Sequence, residues 1–509
     1  MISIHKDLSL DQFANVLLHH EQVGLAAETV EVAKESFSFL KSFIENKIIY
    51  GINTGFGPMA QYRIQEADRI QLQYNLIRSH ASGTGDLLPP AIVKAAMLTR
   101  LCNLSKGKSG VHISVLELLQ EFINRDITPV IFAHGGVGAS GDLVQLAHLA
   151  LTLIGEGEVI YQEKRRPTSE VFTELGLRPI AVEIREGISL INGTSVMTGT
   201  GMVNYFHAKQ LLSWSVKLSS IMNELVKAHD DHYSNTLNEV KKHQGQQDIA
   251  AMMRAHLADS KLIRKREEDL YSGNNLEEIF KDKVQEYYSL RCVPQILGPI
   301  LETIEQVGVI LENEVNSVSD NPIISVEDQN VYHGGNFHGD YISLEMDKLK
   351  LAITRLTMLS ERQLNYLMNA KINEILPPFV NMGKLGFNFG MQGAQFTATS
   401  TTAENQTLSN SMYVHSIPNN NDNQDIVSMG TNAAVITHKV IVNAYEVLAI
   451  QLISIAQAID ILSYQELVSS PTKELYEAIR NIIPAFSEDK PLYTAIQSVK
   501  DYLMKQDAS

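Results

Sequence analysis

Apolar residues recur at helical spacing along most of the chain. In residues 344–367, Leu349, Ala352, Ile353, Leu356, Leu359, Leu364 and Leu367 fall at i, i+3, i+4 and i+7 positions, which predicts one buried helix face over roughly six turns. Residues 208–226, 301–315 and 433–462 repeat the pattern, and lengths of this kind suit a helix bundle better than a sheet. Upstream the elements are shorter. Ser9-Leu10-Asp11-Gln12 is a capping-box pattern that opens a helix to about Leu18. Further helices are expected over 32–44, 70–78, 91–104 and 144–155, and short alternating segments at 158–161 and 180–184 predict a few strands. A last helical stretch, 472–504, is broken at Pro484 and Pro491. The character changes near residue 200. The expectation is a mainly α fold, with a smaller N-terminal domain (1–200) holding a few short strands, then a long-helix bundle with a helical tail (201–509).

Composition narrows the partners. The 509 residues carry a formal net charge of -16, which argues against a nucleic-acid or anionic-membrane partner, since both need a basic footprint. Small molecules are the expected ligands. Residues 240–283 are charged and rich in Gln and Lys, and in the run from Ile263 to Asp269 acids follow bases at once, so the region reads as a solvated excursion. Only Cys102 and Cys292 occur, with no C-x-x-C pair, and the first residues lack a basic stretch followed by an apolar one. A reduced, cytoplasmic setting is expected. The apolar run 447–462 is interrupted by Gln451, Gln457 and Asp460 and reads as a buried helix, not a membrane span.

Candidate chemistry lies in the run His134-Gly-Gly-Val-Gly-Ala-Ser-Gly-Asp142, which places Ala139-Ser140-Gly141 where few side chains obstruct the backbone. Gly141 has no Cβ, so its amide nitrogen can approach the Ala139 carbonyl carbon and close a five-membered ring. Loss of that water and of the Ser140 hydroxyl as a second water gives a methylidene-imidazolone, a carbon electrophile made from the chain itself. A plain glycine turn is the ordinary reading of such a run. A phosphate cradle is discounted, because the run lacks the lysine and a clear preceding β pattern. The triad sits just before the helix expected over 144–155, where unpaired N–H groups favour negative charge. Residues 50–57, with three glycines, read on composition as a surface turn.

Taken in order, YGINTGFG, GGVGASGDLVQLAHLAL, INGTS, QEYYSLRCVPQILG, DNPII and GGNFHGD span essentially the whole chain. Together they resemble the aromatic amino acid ammonia-lyases that carry a methylidene-imidazolone group. The resemblance implies a mainly helical homotetramer with composite active sites, elimination of ammonia from an aromatic α-amino acid, and no externally supplied cofactor. It further implies that Ala139, Ser140 and Gly141 are the ring precursors, that Tyr50 removes the β-proton, and that Arg291 anchors the substrate carboxylate. Tyr288 is implied beside the reacting atoms, with Gly57, Asn192, Gln285, Asn321, Phe337 and Asn420 around the substrate. Taken singly, each has a plainer reading: a salt bridge for Arg291, core for Cys292 and Phe337, a turn for Asn192, half-buried packing for Tyr288, an extended residue for Asn321 before Pro322. Phenols titrate near pKa ~10, so a tyrosine acting as a base at neutral pH needs positive potential beside it. His333 and His338 lack clear further ligands, and no metal is assigned.

Two positions bear on the substrate. Ser79-His80 resembles the pair found in histidine enzymes, whereas Asn423-Gln424-Asp425 resembles the pattern of phenylalanine and tyrosine enzymes, with an amide where histidine enzymes place a carboxylate. Gln145 stands where the family usually carries proline shortly after the ring triad, and Tyr287 stands where histidine enzymes carry proline before Tyr-Ser-Leu-Arg. As a whole the chain resembles a bacterial branch of tyrosine ammonia-lyases. The expectation is conversion of L-tyrosine to trans-p-coumarate and ammonia, with His80 hydrogen-bonding the phenol and Gln424 nearby. The alternative is histidine ammonia-lyase activity, giving urocanate. Phenylalanine elimination, an aminomutase and a non-enzymatic helical oligomer rank lower.

Overall fold

The computed structural model describes residues 1–5, 7–45, 47–271, 278–280 and 283–506. Within them the fold is mainly helical, and the strands are two to four residues long. The four long patterns are four long helices, Ser195–Leu225, Val293–Val315, Asp340–Met368 and Gly430–Leu462. Leu349, Ile353, Leu356, Leu364 and Leu367 are each 0% exposed, as their spacing requires. The helix expected from 301 starts earlier and runs through Pro299, whose carbonyl accepts the Thr303 hydroxyl at 2.7 Å. Proline there removes one ladder donor, which made the sequence look like a helix start. Gly430–Leu462 is long and apolar enough to cross a membrane by length and composition, but 89% of its most apolar stretch is buried.

Compactness groups the chain into two units that alternate along the sequence. The first comprises Met1–Phe206, Val307–Asp347 and Ser411–His438; the second comprises His207–Gln306, Lys348–Asn410 and Lys439–Ser509. Inside the second unit a buried amide chain ties three long helices together: Gln363 donates to Ser219 Oγ at 2.9 Å and to the Ser289 carbonyl at 2.9 Å, while Gln451 donates to Gln363 Oε1 at 2.8 Å. Buried amides satisfied in this way fix helix register more sharply than apolar contact alone.

In the first unit the helix Pro90–Ser105 is the central element, buried from Ile92 to Ser105. Ser195–Leu225 crosses it at Gly199, where a Cβ would meet the Ala96 amide nitrogen at 2.4 Å. The capping box at Ser9 forms as read, with Gln12 N donating to Ser9 Oγ and Ser9 N to Gln12 Oε1. The sheets of this unit are small: Ile2–Ile4 beside Val23–Leu25 in parallel, and antiparallel pairings of Thr84–Leu87 with Phe132–His134, of Glu158–Tyr161 with Thr128–Pro129 and Lys164–Pro167, and of Ile323–Ser325 with Asn330–Tyr332.

Three local expectations change. Residues 180–184 form no strand, because their donors are taken elsewhere: Ile180 N by the Leu153 carbonyl and Val182 N by Tyr74 Oη. Residues 240–283 are not wholly a solvated excursion, since the helix Gln244–His256 buries Ile249 and Met253 at 0% exposure; 272–277 and 281–282 lie outside the described residues. Cys292 is half-buried, whereas Cys102 is core.

Candidate active site

The glycine run is a strand–loop–helix connection. Phe132–His134 precedes it, a strand too short to show as an alternating pattern, and the helix Leu143–Leu153 follows. Gly138 and Gly141 pair across a tight turn whose corners are Ala139 and Ser140. Ser140 has φ +55°, a left-handed conformation that costs an L-residue roughly 1–2 kcal/mol. The surroundings hold it there. Asp142 N donates to the Gly193 carbonyl at 2.8 Å, and Gly193 N donates to the Ser140 carbonyl at 3.2 Å. Gly141, at φ +80°, has no room for a side chain, as a Cβ would lie 2.1 Å from Gly193 O. Ala139 packs against Val427 and Met429.

These features fit the five-membered ring expected of Ala139-Ser140-Gly141. The backbone is already folded into a tight turn, only glycine is tolerated at the attacking nitrogen, and the Ser140 carbonyl receives a second donor, Asn192 Nδ2, at 3.2 Å. The polar side chain securing the turn is Asp142, which the sequence reading passed over. Its fully buried carboxylate accepts from Val196 N at 2.7 Å, from Met197 N at 2.9 Å and from the Thr431 hydroxyl. It thus caps Ser195–Leu225 rather than the helix it directly precedes. Burial pushes its carboxyl up to about 6, against the pull of those three donors.

The turn faces a cavity of about 420 Å³, lined among others by Tyr50, Gly57, His80, Asn192, Asn321, Phe337, Asn420 and Gln424. Residues 50–57 are not a bare surface turn: Gly51, Ile52, Thr54 and Gly55 are buried. Asn53 Oδ1 accepts Ile49 N, Thr54 Oγ1 accepts Gly51 N, and Gln73, 0% exposed, donates to the Gly51 carbonyl at 2.8 Å. Gln73 Oε1 in turn accepts Ile188 N at 3.0 Å, linking this loop to the helix Glu186–Ile191. No motif in the sequence pointed to Gln73. The ring of Tyr50 meets Phe56 edge-on, and its hydroxyl oxygen accepts Gly57 N at 3.1 Å. Gly57 also lets Asn420 approach, as a Cβ there would lie 2.4 Å from Asn420 Nδ2.

His80 ends the helix Arg69–His80, and its Nδ1 lies 2.9 Å from the Leu76 carbonyl. A carbonyl only accepts, so the contact calls for a proton on Nδ1; in the neutral ring with that tautomer Nε2 is the acceptor. Ser79 is not among the lining residues; its hydroxyl sits 3.0 Å from the same Nδ1 and donates to the same carbonyl. Gln424 reaches the turn, with Nε2 3.3 Å from Ser140 Oγ. Its place is therefore beside the expected electrophile. The loop before it closes by an Asn419–Gln424 pairing through three left-handed residues, Asn420, Asn421 and Asp422, types that tolerate this conformation. Gln145, which stands in place of the proline usual after the ring triad, is buried and donates to the Phe132 and Ala133 carbonyls.

Asn321 is placed by buried charge. Arg185, 0% exposed, forms a two-pronged pair with Asp320, at 3.2 Å on each arm, and donates to the Asn321 and Pro322 carbonyls. Asn321 N donates to Asp320 Oδ1 at 2.7 Å. Neither member of this pair was singled out in the sequence. Gln285, Tyr288 and Arg291 belong to the second unit and are not among the residues lining this cavity. Arg291 donates to Gln285 Oε1 and stacks on Tyr288 at 4.8 Å; Tyr288 is 70% exposed, not half-buried. Among the described residues no cluster of His, Cys, Asp and Glu could hold a metal ion.

The sequence profile of the aromatic amino acid lyases matches residues 8–481. The histidine ammonia-lyase of Bacillus velezensis is 38% identical over 492 residues, covering 96% of this chain and 93% of that protein. The tyrosine 2,3-aminomutase of a Myxococcus species is 38% identical over 470 residues, covering 91% and 89%. The crystal structure of the tyrosine aminomutase from Streptomyces globisporus superimposes with a TM-score of 0.94 at 34% identity, covering 99% of this chain and 97% of that one. The chain belongs to the aromatic amino acid lyase family and is a carbon–nitrogen lyase of the ammonia-releasing kind.

Proposed function

We propose that the chain eliminates ammonia from L-tyrosine, using an electrophile formed from its own Ala139, Ser140 and Gly141, in a cytoplasmic homotetramer. The observation that carries the elimination is the tight turn at Ser140 facing a cavity that Tyr50 also lines. A β-proton is barely acidic and ammonia is a poor leaving group, so both ends of the bond need help. The cyclised turn supplies a carbon electrophile that standard side chains lack. Asn192 Nδ2 and Gly193 N stabilise negative charge on the Ser140 carbonyl oxygen, each at 3.2 Å. Tyr50 takes the β-proton, its oxygen held by Gly57 N. Asn321, Phe337, Asn420 and Gln424 position the substrate. Arg291, whose fork matches a carboxylate, holds the substrate carboxylate in a composite site of the assembled tetramer, with Gln285 beside the substrate and Tyr288 beside the reacting atoms.

The acceptor nitrogen of His80 supports the phenol. A tyrosine hydroxyl donates to Nε2, whereas phenylalanine leaves that nitrogen unpaired against an apolar ring. The relatives weigh the other way, toward L-histidine, since histidine ammonia-lyases stand among the most similar proteins at 37–38% identity. That is the second reading, and Asp425 in the cavity lining offers an imidazolium a partner. Assay of the purified protein with L-tyrosine, L-histidine and L-phenylalanine decides between them. Coumarate is expected to form fastest; urocanate forming faster than coumarate contradicts the tyrosine assignment, and a β-amino acid product assigns an aminomutase.

A further inference from the structure

Arg100 lies in the middle of the buried helix Pro90–Ser105 and is 0% exposed. Its Nη2 donates to the Ser189 carbonyl, near the C-terminal end of the helix Glu186–Ile191. Its Nε and Nη1 have no hydrogen-bond partner among the described residues. Burial pulls the guanidinium down to about 10, opposed by the charges of Asp320 and Asp142, so it remains a cation at neutral pH. A buried cation without a full set of partners is costly, and most folds avoid it.

Its position gives a reason for it. A Cβ built on Gly193 would lie 2.7 Å from Arg100 Nη1 and 2.7 Å from Ser319 Oγ, so the guanidinium packs directly behind the Asn192–Gly193 segment. From that segment Asn192 Nδ2 and Gly193 N both reach the Ser140 carbonyl oxygen. The cation also stands at a helix C-terminus, where carbonyl groups favour positive charge.

We propose that Arg100 is a positioning residue for the reaction: it fixes the end of Glu186–Ile191 so that Asn192 and Gly193 keep both donors on the Ser140 carbonyl, and its charge polarises them toward that oxygen. This rests on the reading that residues 139–141 form the electrophile. Arg100 touches neither substrate nor the turn in this role.

The test compares wild type, Arg100→Lys and Arg100→Met by intact mass, circular dichroism and steady-state kinetics. Wild type lighter than its sequence by two waters supports the electrophile reading itself; wild type at full mass removes that reading and this proposal with it. Given a cyclised wild type, Arg100→Met is expected to fold but to show incomplete loss of water, with partial recovery in Arg100→Lys. In the cyclised fraction kcat falls about 10- to 100-fold while KM stays within about threefold, because donors aimed at developing charge act mainly in the transition state. Variants that fold, cyclise fully and keep kcat within about twofold overturn the proposal. Failure of both variants to fold overturns it equally, by assigning Arg100 to the fold alone.

Discussion

Ser140 is left-handed at the corner of a turn that leaves no room for a side chain at Gly141, and Tyr50 lines the same cavity with one backbone amide on its oxygen. That amide belongs to Gly57, whose own conformation, φ +53°, and tight approach to Asn420 suit glycine. Tyr50→Phe keeps the edge-on contact with Phe56 and removes only the proton acceptor. We expect kcat to fall about 10²- to 10⁴-fold with little change in KM, measured with the preferred substrate. A loss below tenfold assigns the proton to another group. At this scale the candidate residues that line the cavity were legible, because a rare triad and a tyrosine in a fixed motif leave marks in sequence. Asp142, Gln73 and Arg100 were not, because a buried polar residue in a helical or glycine-rich stretch looks like any solvated one until its partners, far along the chain, are known.

The element that organises the site is the six-residue helix Glu186–Ile191. Gln73 ties it to the Tyr50 loop, Arg100 holds its far end, and Arg185 at its start grips Asp320 beside Asn321. The long helices were legible from apolar period alone, since a face buried over many turns repeats the signal. This short helix and the tiny strands were not, because their conformation comes from tertiary partners: 180–184 alternates like a strand, yet its amides serve Leu153 and Tyr74. Asp320→Asn leaves the Arg185 charge buried and uncompensated. Removing one partner of such a pair typically costs about 3–5 kcal/mol. We expect a lowered melting temperature together with a lower kcat, because Asn321 loses the carboxylate that takes its amide hydrogen. An unchanged melting curve contradicts this account of the pair.

On the scale of the whole molecule, the first unit is assembled from three separate stretches of sequence. The stretch to Phe206 brings Tyr50, His80, the turn and Asn192; 307–347 brings Asn321 and Phe337; 411–438 brings Asn420 and Gln424. A cut near residue 200 is the natural reading of local character, since helix length changes there, but compactness follows contacts that no local pattern records. The same folding back gathers five of the six motifs, scattered over the sequence, around one turn; the sixth, with Arg291, belongs to the second unit. Everything in the functional account depends on that turn closing on itself. The most direct test is the mass of the peptide spanning residues 134–142, excised from purified wild-type protein and compared with the same peptide from Ser140→Ala. The account predicts a wild-type peptide two waters lighter than its sequence and a Ser140→Ala peptide that has not lost both; a wild-type peptide at its full sequence mass contradicts it.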